Sequence, residues 1–255
     1  MIKKLFLILC ALVLCSSSYA GNIKDIKKVI ARKNAYTDLL FFWTCETANL
    51  GASDYSAGDT TGTVFDGGAL NATAMKIGTN GIWTDATGND RYQFDHTIID
   101  GTSGNVAFWM NIVTWVDGGA VFSFTTTSPS TNYFKVEMRG ADTPNIELMF
   151  RWNDGTNTPN FETTTLDLSE ATWYFVEVVY DAGTDLMGFY ITPSGGARGS
   201  LVSTTSNAIS PIPFGTGPSD FPYAVDAIVY LDNIMISNDS TRNLSLIRNL
   251  TASPK

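Results

Sequence analysis

The stretch ATWYFVEVVYDAGTDLMGFYIT, residues 171–192, contains the pattern from which we predict the fold. Its two halves, residues 171–181 and 185–192, are short runs of β-branched and aromatic residues, and the DAGTD between them has the composition of a turn. Such runs, joined by a few Gly, Asp and Thr residues, are typical of antiparallel hairpins. The stretch therefore predicts two neighbouring strands.

The same pattern of short apolar runs separated by turn residues extends over most of the chain. Further runs of this kind occupy residues 36–46, 91–95, 105–115, 120–127, 132–139, 145–153 and 224–237. Clusters of Gly, Asn, Asp, Ser and Pro separate them, no region has the periodicity of a long helix, and no longer unit repeats. Many short, evenly spaced strands predict an all-β fold, an antiparallel sandwich or barrel.

The two ends of the chain differ from this central part. Residues 1–20 run from two lysines through a short apolar segment to small residues, which is the pattern of a secretory signal peptide. We predict a signal peptide over 1–20, a leader or short helix over 21–35, the sandwich domain over 36–240, and a tail or short helix over 241–255. No apolar segment is long enough to predict a membrane span, so we expect a secreted, periplasmic or extracellular protein.

Charge and cysteine content narrow the possible partners and the redox chemistry. The formal net charge is −9, which makes nucleic acid an unsuitable partner. Removal of the signal peptide leaves Cys45 as the one cysteine, so no intrachain disulfide is possible. Cys45 alternates with Phe41 and Trp43, which predicts a buried apolar side chain and not a reactive thiol.

Two segments show a clear alternation of apolar and polar residues. In residues 132–139 and 145–153, every second residue is apolar, which predicts one buried and one exposed face for each strand. If the two strands pair as a hairpin, the exposed faces together form either a ligand-binding surface or a solvated face with weak ion pairs. The candidate ligand-binding residues on that face are Tyr133, Glu137, Arg139, Glu147 and Arg151.

The order of several motifs resembles a known group of domains. The segments LLFFWTCE (39–46), GNVAFWMNI (104–112), residues 171–191 and AIVYLDNIMIS (227–237) are similar to the laminin-G-like members of the concanavalin A-like lectin and glucanase superfamily. The matching residues are Phe108, Trp109, Trp173, Tyr180, Asp181, Asp232 and Asn233. The resemblance implies a jelly-roll sandwich of two curved antiparallel sheets, with Trp109 and Trp173 in its core.

The resemblance also implies a structural calcium ion. Many relatives hold calcium with an acid from the first core strand and an Asp from the last one, and Glu46 and Asp232 fit that pattern. Such an ion, which prefers oxygen ligands, would explain a carboxylate within the apolar run 227–237. In the other interpretation, Asp232 accepts hydrogen bonds from a neighbouring backbone or contacts a basic residue.

Some relatives cleave polysaccharides, but their catalytic motifs are missing. The acidic cluster of laminarinase-type glucanases does not occur; its nearest counterparts are Glu177 with Asp181 and Asp226 with Asp232. The segment YFKVEMRG departs from the Arg-x-Glu-x-Arg strand of jelly-roll alginate lyases, and the one histidine, His96, precedes that segment. The sequence therefore predicts no catalytic residue.

A carbohydrate-binding surface fits the composition better. Sugar sites combine aromatic rings with groups that hydrogen-bond hydroxyls. Among the tryptophans, we expect Trp83, in the polar loop 78–90, and Trp115, at a strand end, to be accessible. The sequence predicts a secreted, non-catalytic, lectin-like module that binds a polysaccharide or surface glycan. The alternatives are a divergent polysaccharide lyase or glycoside hydrolase, and a structural or adhesive protein of a cell surface or virion.

Overall fold

The computed structural model describes residues 39–43, 45, 55–56, 62–65, 69–84, 89–95, 101–125, 132–140, 146–162, 167–212, 218–225, 227–246 and 248. All of these residues belong to one compact unit, Leu39–Lys255. The predicted signal peptide, the predicted leader, Glu46 and His96 lie outside the described residues. Regular structure in the described part is almost entirely β-strand, with short 3-10 helices at Ala72–Ala74 and Leu244–Leu246.

The described strands belong to two antiparallel sheets. In chain order the strands are β1 (Leu39–Trp43), β2 (Tyr55–Ser56), β3 (Gly62–Phe65), β4 (Ala69–Asn71), β5 (Gly81–Trp83), β6 (Asn89–Asp95), β7 (Ser103–Thr114), β8 (Ala120–Thr125), β9 (Tyr133–Arg139), β10 (Glu147–Asn153), β11 (Asn160–Glu162), β12 (Trp173–Asp181), β13 (Leu186–Pro193), β14 (Leu201–Thr204), β15 (Pro218–Val225) and β16 (Ile228–Ser237). In one sheet, the order is β14-β13-β12-β7-β16-β1-β2, with β5 also paired to β16 and β4 paired to β5. In the other sheet, the order is β11-β10-β9-β8-β15-β6-β3.

The main hydrophobic core consists of the alternating inward residues of both sheets. Phe134 lies at its centre, with ring centroids 5.0 Å from Tyr180 of the opposite sheet and 5.8 Å from Phe122. Cys45 is fully buried in the same core, which confirms its predicted role as an apolar group. Burial of this apolar surface is the main force that holds the two sheets together.

The hairpin predicted from the alternating segments is confirmed. Strands β9 and β10 pair in continuous antiparallel register, from Glu147 opposite Arg139 to Asn153 opposite Tyr133. Their apolar residues are fully or almost fully buried, so each strand has one face in the core. The polar residues of both strands consequently share the outer face of this sheet.

The prediction of one strand over residues 224–237 is wrong. Strand β15 ends at Val225 in the seven-stranded sheet, and β16 begins at Ile228 in the nine-stranded sheet. Ala227, between the two strands, is fully buried. The Thr84 hydroxyl donates a hydrogen bond to the Ala227 carbonyl and accepts one from the Val229 N–H, so it bonds the backbone where β16 begins. At the crossing the sequence has a single polar residue, Asp226, between apolar residues on both sides, so its pattern resembles one continuous strand.

The nine-stranded sheet is also buried on part of its outer face. Trp109 and Phe175 lie there, edge to face at 5.4 Å, outside the core between the sheets. The C-terminal segment lies across them: Leu244 is fully buried, and the Trp109 indole N–H donates to the carbonyl of Arg248 at 2.8 Å. The expectation that Trp109 and Trp173 are core residues holds for Trp109, which is buried on the outer face of this sheet, and is corrected for Trp173, which is only half-buried.

Candidate functional site

The outer face of the β9–β10 hairpin collects five of the seven ligand-binding residues predicted from the sequence. The register places Glu147 opposite Arg139 and Arg151 opposite Lys135, while Met149 lies opposite Glu137. Because all these positions fall on one face, we call this surface the polar patch. It consists of Tyr133, Lys135, Glu137, Arg139, Glu147 and Arg151.

Glu137 is the buried centre of the polar patch. Its side chain is only 5% exposed, and three cations converge on its carboxylate: Lys135 Nζ at 2.5 Å, Arg151 Nε at 3.0 Å and Arg139 Nη2 at 3.3 Å. Arg139 also reaches Asp117, with 3.4 Å between Nη1 and Oδ2. These ion pairs fix the cationic side chains, so the polar patch is held in place before any ligand binds.

The periphery of the polar patch provides the groups that a carbohydrate requires. The Lys135 and Arg139 side chains are each 25% exposed, the Arg151 side chain is 33% exposed, and the Tyr133 ring is half-buried. The Lys135 ammonium lies 5.4 Å from the centroid of the Tyr133 ring. An aromatic ring, cationic donors and a half-buried carboxylate at Glu147 therefore lie together on one rigid strand pair.

Asp154 supports this hairpin at its far end. Its Oδ1 accepts hydrogen bonds from the backbone N–H of Thr156 and Asn157, and its Oδ2 accepts from Asn157 Nδ2 and from Ser210 N. Partial burial acts to raise the pKa of Asp154, but the hydrogen bonds, first of all that from the Asn157 backbone, outweigh it and hold the pKa below its ordinary value.

We expect the stability that Asp154 contributes to depend on pH. Because its folded-state pKa is lowered, the contribution is complete above the ordinary Asp pKa and is lost as the pH falls through the lowered value. Asp154→Ala should cost about 1–3 kcal/mol near neutral pH. Urea denaturation of both proteins between neutral and strongly acidic pH should show the difference shrinking toward acid; a difference independent of pH would contradict this assignment.

Asp232 is held by backbone donors. Its Oδ2 accepts from the N–H groups of Lys76 and Ile77, and its Oδ1 accepts from the N–H of Asn233, all at 2.7 Å. Asn233 has a φ of 49°, in the left-handed region that asparagine tolerates, at an irregularity in the pairing of β16 with β7. These three hydrogen bonds satisfy a fully buried carboxylate and attach the loop after β4 to β16.

The described surroundings of Asp232 supply hydrogen-bond donors and not the oxygen ligands of a calcium ion. Calcium needs six to eight oxygen ligands, whereas three N–H donors are directed at this carboxylate and the Lys76 backbone lies beside it. The described residues contain no group of three or more His, Cys, Asp or Glu side chains that could hold a metal ion. The other predicted ligand, Glu46, lies outside them. The described contacts of Asp232 are those of the alternative interpretation, hydrogen bonding to backbone, and the calcium site with Glu46 stays a prediction.

The two tryptophans predicted to be accessible lie away from the polar patch. Trp83 is in strand β5 of the nine-stranded sheet, opposite Tyr230, and not in a loop; it is half-buried. Trp115 directly follows β7, packs against the main core and donates its backbone N–H to Glu170 Oε1 at 3.3 Å. The structure therefore does not bring either ring together with the β9–β10 residues.

The acids nearest to a glucanase catalytic cluster in the sequence include Glu177 and Asp181, and the structure gives both of them other hydrogen-bond partners. Glu177 is fully buried and forms a two-point ion pair with Arg198, at 2.9 Å for both Nε–Oε2 and Nη2–Oε1. Asp181 Oδ1 accepts the N–H of Gly183 in the following turn. Asp226 lies outside the described residues. Asp232, in β16, accepts the backbone hydrogen bonds described above. The sequence analysis missed Arg198, because no local pattern connects it with an acid 21 positions earlier.

Comparison with known proteins identifies the fold. No protein-family model matches the sequence, and no curated protein is significantly similar to it. The structure is similar to domain 4 of AbnA, a GH43 extracellular arabinanase from Geobacillus stearothermophilus solved with arabinotriose, with a TM-score of 0.54 and 15% identity over 83% of this chain and 97% of that domain.

Weaker similarities are to the VIP36 exoplasmic/lumenal domain in its Ca2+/Man2-bound form and to tailspike protein 2 of the Escherichia coli O157:H7 bacteriophage CAB120. The first has a TM-score of 0.48 and 8% identity over 85% of this chain and 96% of that one. The second has a TM-score of 0.49 and 14% identity over 75% of this chain and 28% of that one. The two antiparallel sheets and the similarity to the arabinanase domain show that this chain has a jelly-roll sandwich fold of the concanavalin A-like type.

Proposed function

We propose that this protein is an exported, non-catalytic, lectin-like module that binds a glycan on the polar patch. The observation that supports this most strongly is the convergence of Lys135, Arg139 and Arg151 on the buried Glu137, with the Tyr133 ring on the same outer face. The similarity to an arabinanase domain solved with arabinotriose agrees with a sugar ligand, although it establishes the fold alone. The laminin-G-like resemblance of the sequence is part of the same proposal.

The geometry suits sugar recognition because the polar patch combines rigidity with unused hydrogen-bonding capacity. An arginine side chain has five N–H donors and a lysine ammonium has three, whereas the ion pairs with Glu137 occupy only a few of them. The half-buried Tyr133 ring offers an apolar face of the kind that packs against a pyranose. The strand pair keeps these groups ordered, which lowers the entropic cost of binding.

Polysaccharide binding by the full chain tests the proposal. On an array of polysaccharides, we expect selective retention of the wild-type protein, and about fivefold or more weaker retention of Tyr133→Ala, since loss of one aromatic contact costs roughly 1 kcal/mol or more. Tyr230→Ala, which removes a half-buried tyrosine from the nine-stranded sheet, is the matched control and should bind like the wild type.

Two results would contradict a non-catalytic, glycan-binding function. One is the absence of retention on every polysaccharide by a protein whose circular dichroism shows a folded β structure. The other is release of reducing or unsaturated ends from a bound polysaccharide, which would indicate a lyase or hydrolase in place of a non-catalytic module. Equal losses in Tyr133→Ala and Tyr230→Ala would place the binding elsewhere on the protein.

Calcium and export are parts of the proposal that rest on sequence. The calcium prediction depends on Glu46, because the described residues around Asp232 supply hydrogen-bond donors. Export depends on the signal-peptide pattern of residues 1–20. Among the described residues, no helix has the length and apolarity required to cross a membrane.

A further inference from the structure

One row of side chains on the outer face of the nine-stranded sheet is separate from the polar patch. Its members are register partners on the four neighbouring strands β5, β16, β7 and β12. On each strand an adjacent apolar residue belongs to the main core, so the members of the row point away from the core. We call this set the aromatic row, and it consists, in that strand order, of Trp83, Tyr230, Asn111 and Trp173.

The aromatic row is partly open and contains one unsatisfied polar group. Its three rings, those of Trp83, Tyr230 and Trp173, are half-buried. The Lys76 ammonium, 6.0 Å from the centroid of the Trp173 ring, borders one end of the row. Asn111 is only 7% exposed, and its Oδ1 has no hydrogen-bond partner among the residues that the structure describes. A buried acceptor without a partner is costly, and a ligand that donates a hydrogen bond to it removes that cost.

The same face of this sheet already binds a peptide backbone. Asn105 Nδ2 donates to the carbonyl of Arg242 at 2.8 Å, and Trp109 Nε1 donates to the carbonyl of Arg248 at 2.8 Å. Along β7, Asn105, Trp109 and Asn111 alternate with core residues, so all three lie on this face. The aromatic row therefore continues the surface that holds the C-terminal segment, and it offers the same two side-chain types, an amide and an indole.

The spacing of the rings fits a proline-rich segment. Tyr230 and Trp173 are two strands apart, with Asn111 on the strand between them, so their backbones are separated by about 9.6 Å. Three residues of a polyproline II helix advance by nearly the same distance, about 9.3 Å. Two prolines placed three positions apart would therefore meet one ring each.

A polyproline II backbone also suits the amide between the rings. Such a backbone has no internal hydrogen bonds, so its N–H and C=O groups are available to a partner. The residues between the two prolines keep their N–H groups, one of which would donate to Asn111 Oδ1, while a carbonyl would accept from Asn111 Nδ2. A side-chain amide is complementary to a peptide group because each has a carbonyl acceptor and an N–H donor.

We propose that the aromatic row binds a proline-rich segment of a partner protein, with two prolines on Tyr230 and Trp173 and the backbone between them bonded to Asn111. Trp83, one strand beyond Tyr230, extends the apolar contact along the segment. Aromatic rings that receive the prolines of a preformed polyproline II helix are a recurring mode of peptide recognition. This site is independent of the proposed glycan site, because the two lie on different sheets.

Peptide binding by the full chain tests this inference. The probe is an array of short peptides that each contain Pro-x-x-Pro, beside the same peptides with both prolines replaced by alanine. We expect the wild type to retain a subset of the proline peptides only. Fluorescence anisotropy with the best of them should show about tenfold or more weaker binding by Trp173→Ala and by Tyr230→Ala. Leu201→Ala, which removes an exposed apolar side chain from the same sheet, is the matched control and should bind like the wild type.

Asn111→Leu separates a binding role of this residue from a structural one. Leucine has a similar volume and removes an oxygen that the described residues leave unsatisfied, so the thermal midpoint should stay the same or rise. Binding of the best peptide should nevertheless fall about fivefold, because the hydrogen bond to the peptide backbone is lost. A markedly lower midpoint, or unchanged peptide binding, would overturn the assignment of Asn111.

The remaining outcomes distinguish this inference from the proposed function. Equal retention of the proline and alanine peptides, or of neither, by a folded protein overturns the inference and leaves the glycan site unaffected. If Trp173→Ala and Asn111→Leu weaken polysaccharide retention and not peptide binding, the aromatic row binds a glycan. Self-association of the wild type that is lost in Trp173→Ala, without peptide binding, would show that a second copy of this chain occupies the row. Either result overturns the inference.

Discussion

Arg198→Met is expected to lower the free energy of unfolding by about 3–5 kcal/mol, because it leaves a buried charge without its partner. The Glu177 carboxylate is fully buried and is bound by Arg198 through two 2.9 Å contacts, while the guanidinium lies 3.5 Å from the centroid of the Tyr190 ring. Two weaker donors remain, the N–H of Leu244 at 3.0 Å and Asn105 Nδ2 at 3.3 Å. They cannot neutralise the charge.

A double-mutant cycle with Glu177→Gln provides the control. Glu177→Gln combined with Arg198→Met removes both charges, so the double variant should be more stable than the sum of the single losses predicts. The measurement is the urea midpoint of each protein, compared at unchanged slope. A loss below about 1 kcal/mol for Arg198→Met, as is usual for an exposed pair, would contradict the assignment of a buried ion pair.

Asp232→Ala is the second substitution with a large expected effect, a loss of about 3 kcal/mol or more. Asp232 accepts hydrogen bonds from the backbone N–H groups of Lys76, Ile77 and Asn233. The substitution removes the acceptor of all three groups at once. An unsatisfied buried donor costs about 1–3 kcal/mol. Asp239→Ala is the matched control, since Asp239 accepts the Thr241 N–H at 2.8 Å in an exposed turn, and it should cost about 1 kcal/mol or less.

The wild type and Asp232→Ala together distinguish backbone hydrogen bonding at Asp232 from calcium binding. If Asp232 acts through the three N–H groups, Asp232→Ala is destabilising by the same amount in calcium and in chelator. If Asp232 is a calcium ligand, the chelator lowers the stability of the wild type toward that of the variant. Thermal midpoints of both proteins in the two buffers decide between these results, and a loss seen only in calcium would contradict the hydrogen-bonding account.

Features that depend on local pattern were predictable from the sequence. The two-residue alternation in β9 and β10 was sufficient to predict the hairpin and to place Glu137 and Arg151 on one face. The turn composition between β12 and β13 likewise indicated their pairing. These predictions succeeded because strand periodicity and turn chemistry are local properties of the chain.

Features that depend on distant contacts were not predictable. The loop residues that bind Asp232 lie about 155 positions away in the sequence, so the acid alone favoured a metal over two backbone N–H groups. Arg198 likewise comes from the loop after β13. The crossing between β15 and β16 was not predictable because its sequence, Asp226 and the buried Ala227, has only one polar residue between two apolar runs.

Amide chemical shifts measured by NMR with and without the best-retained polysaccharide test most directly whether the glycan binds the polar patch. We expect the largest changes in Tyr133–Arg139 and Glu147–Asn153, the two strands that form the polar patch. Changes concentrated around Trp83 in β5 of the nine-stranded sheet, with β9 and β10 unaffected at saturation, would contradict binding at the polar patch.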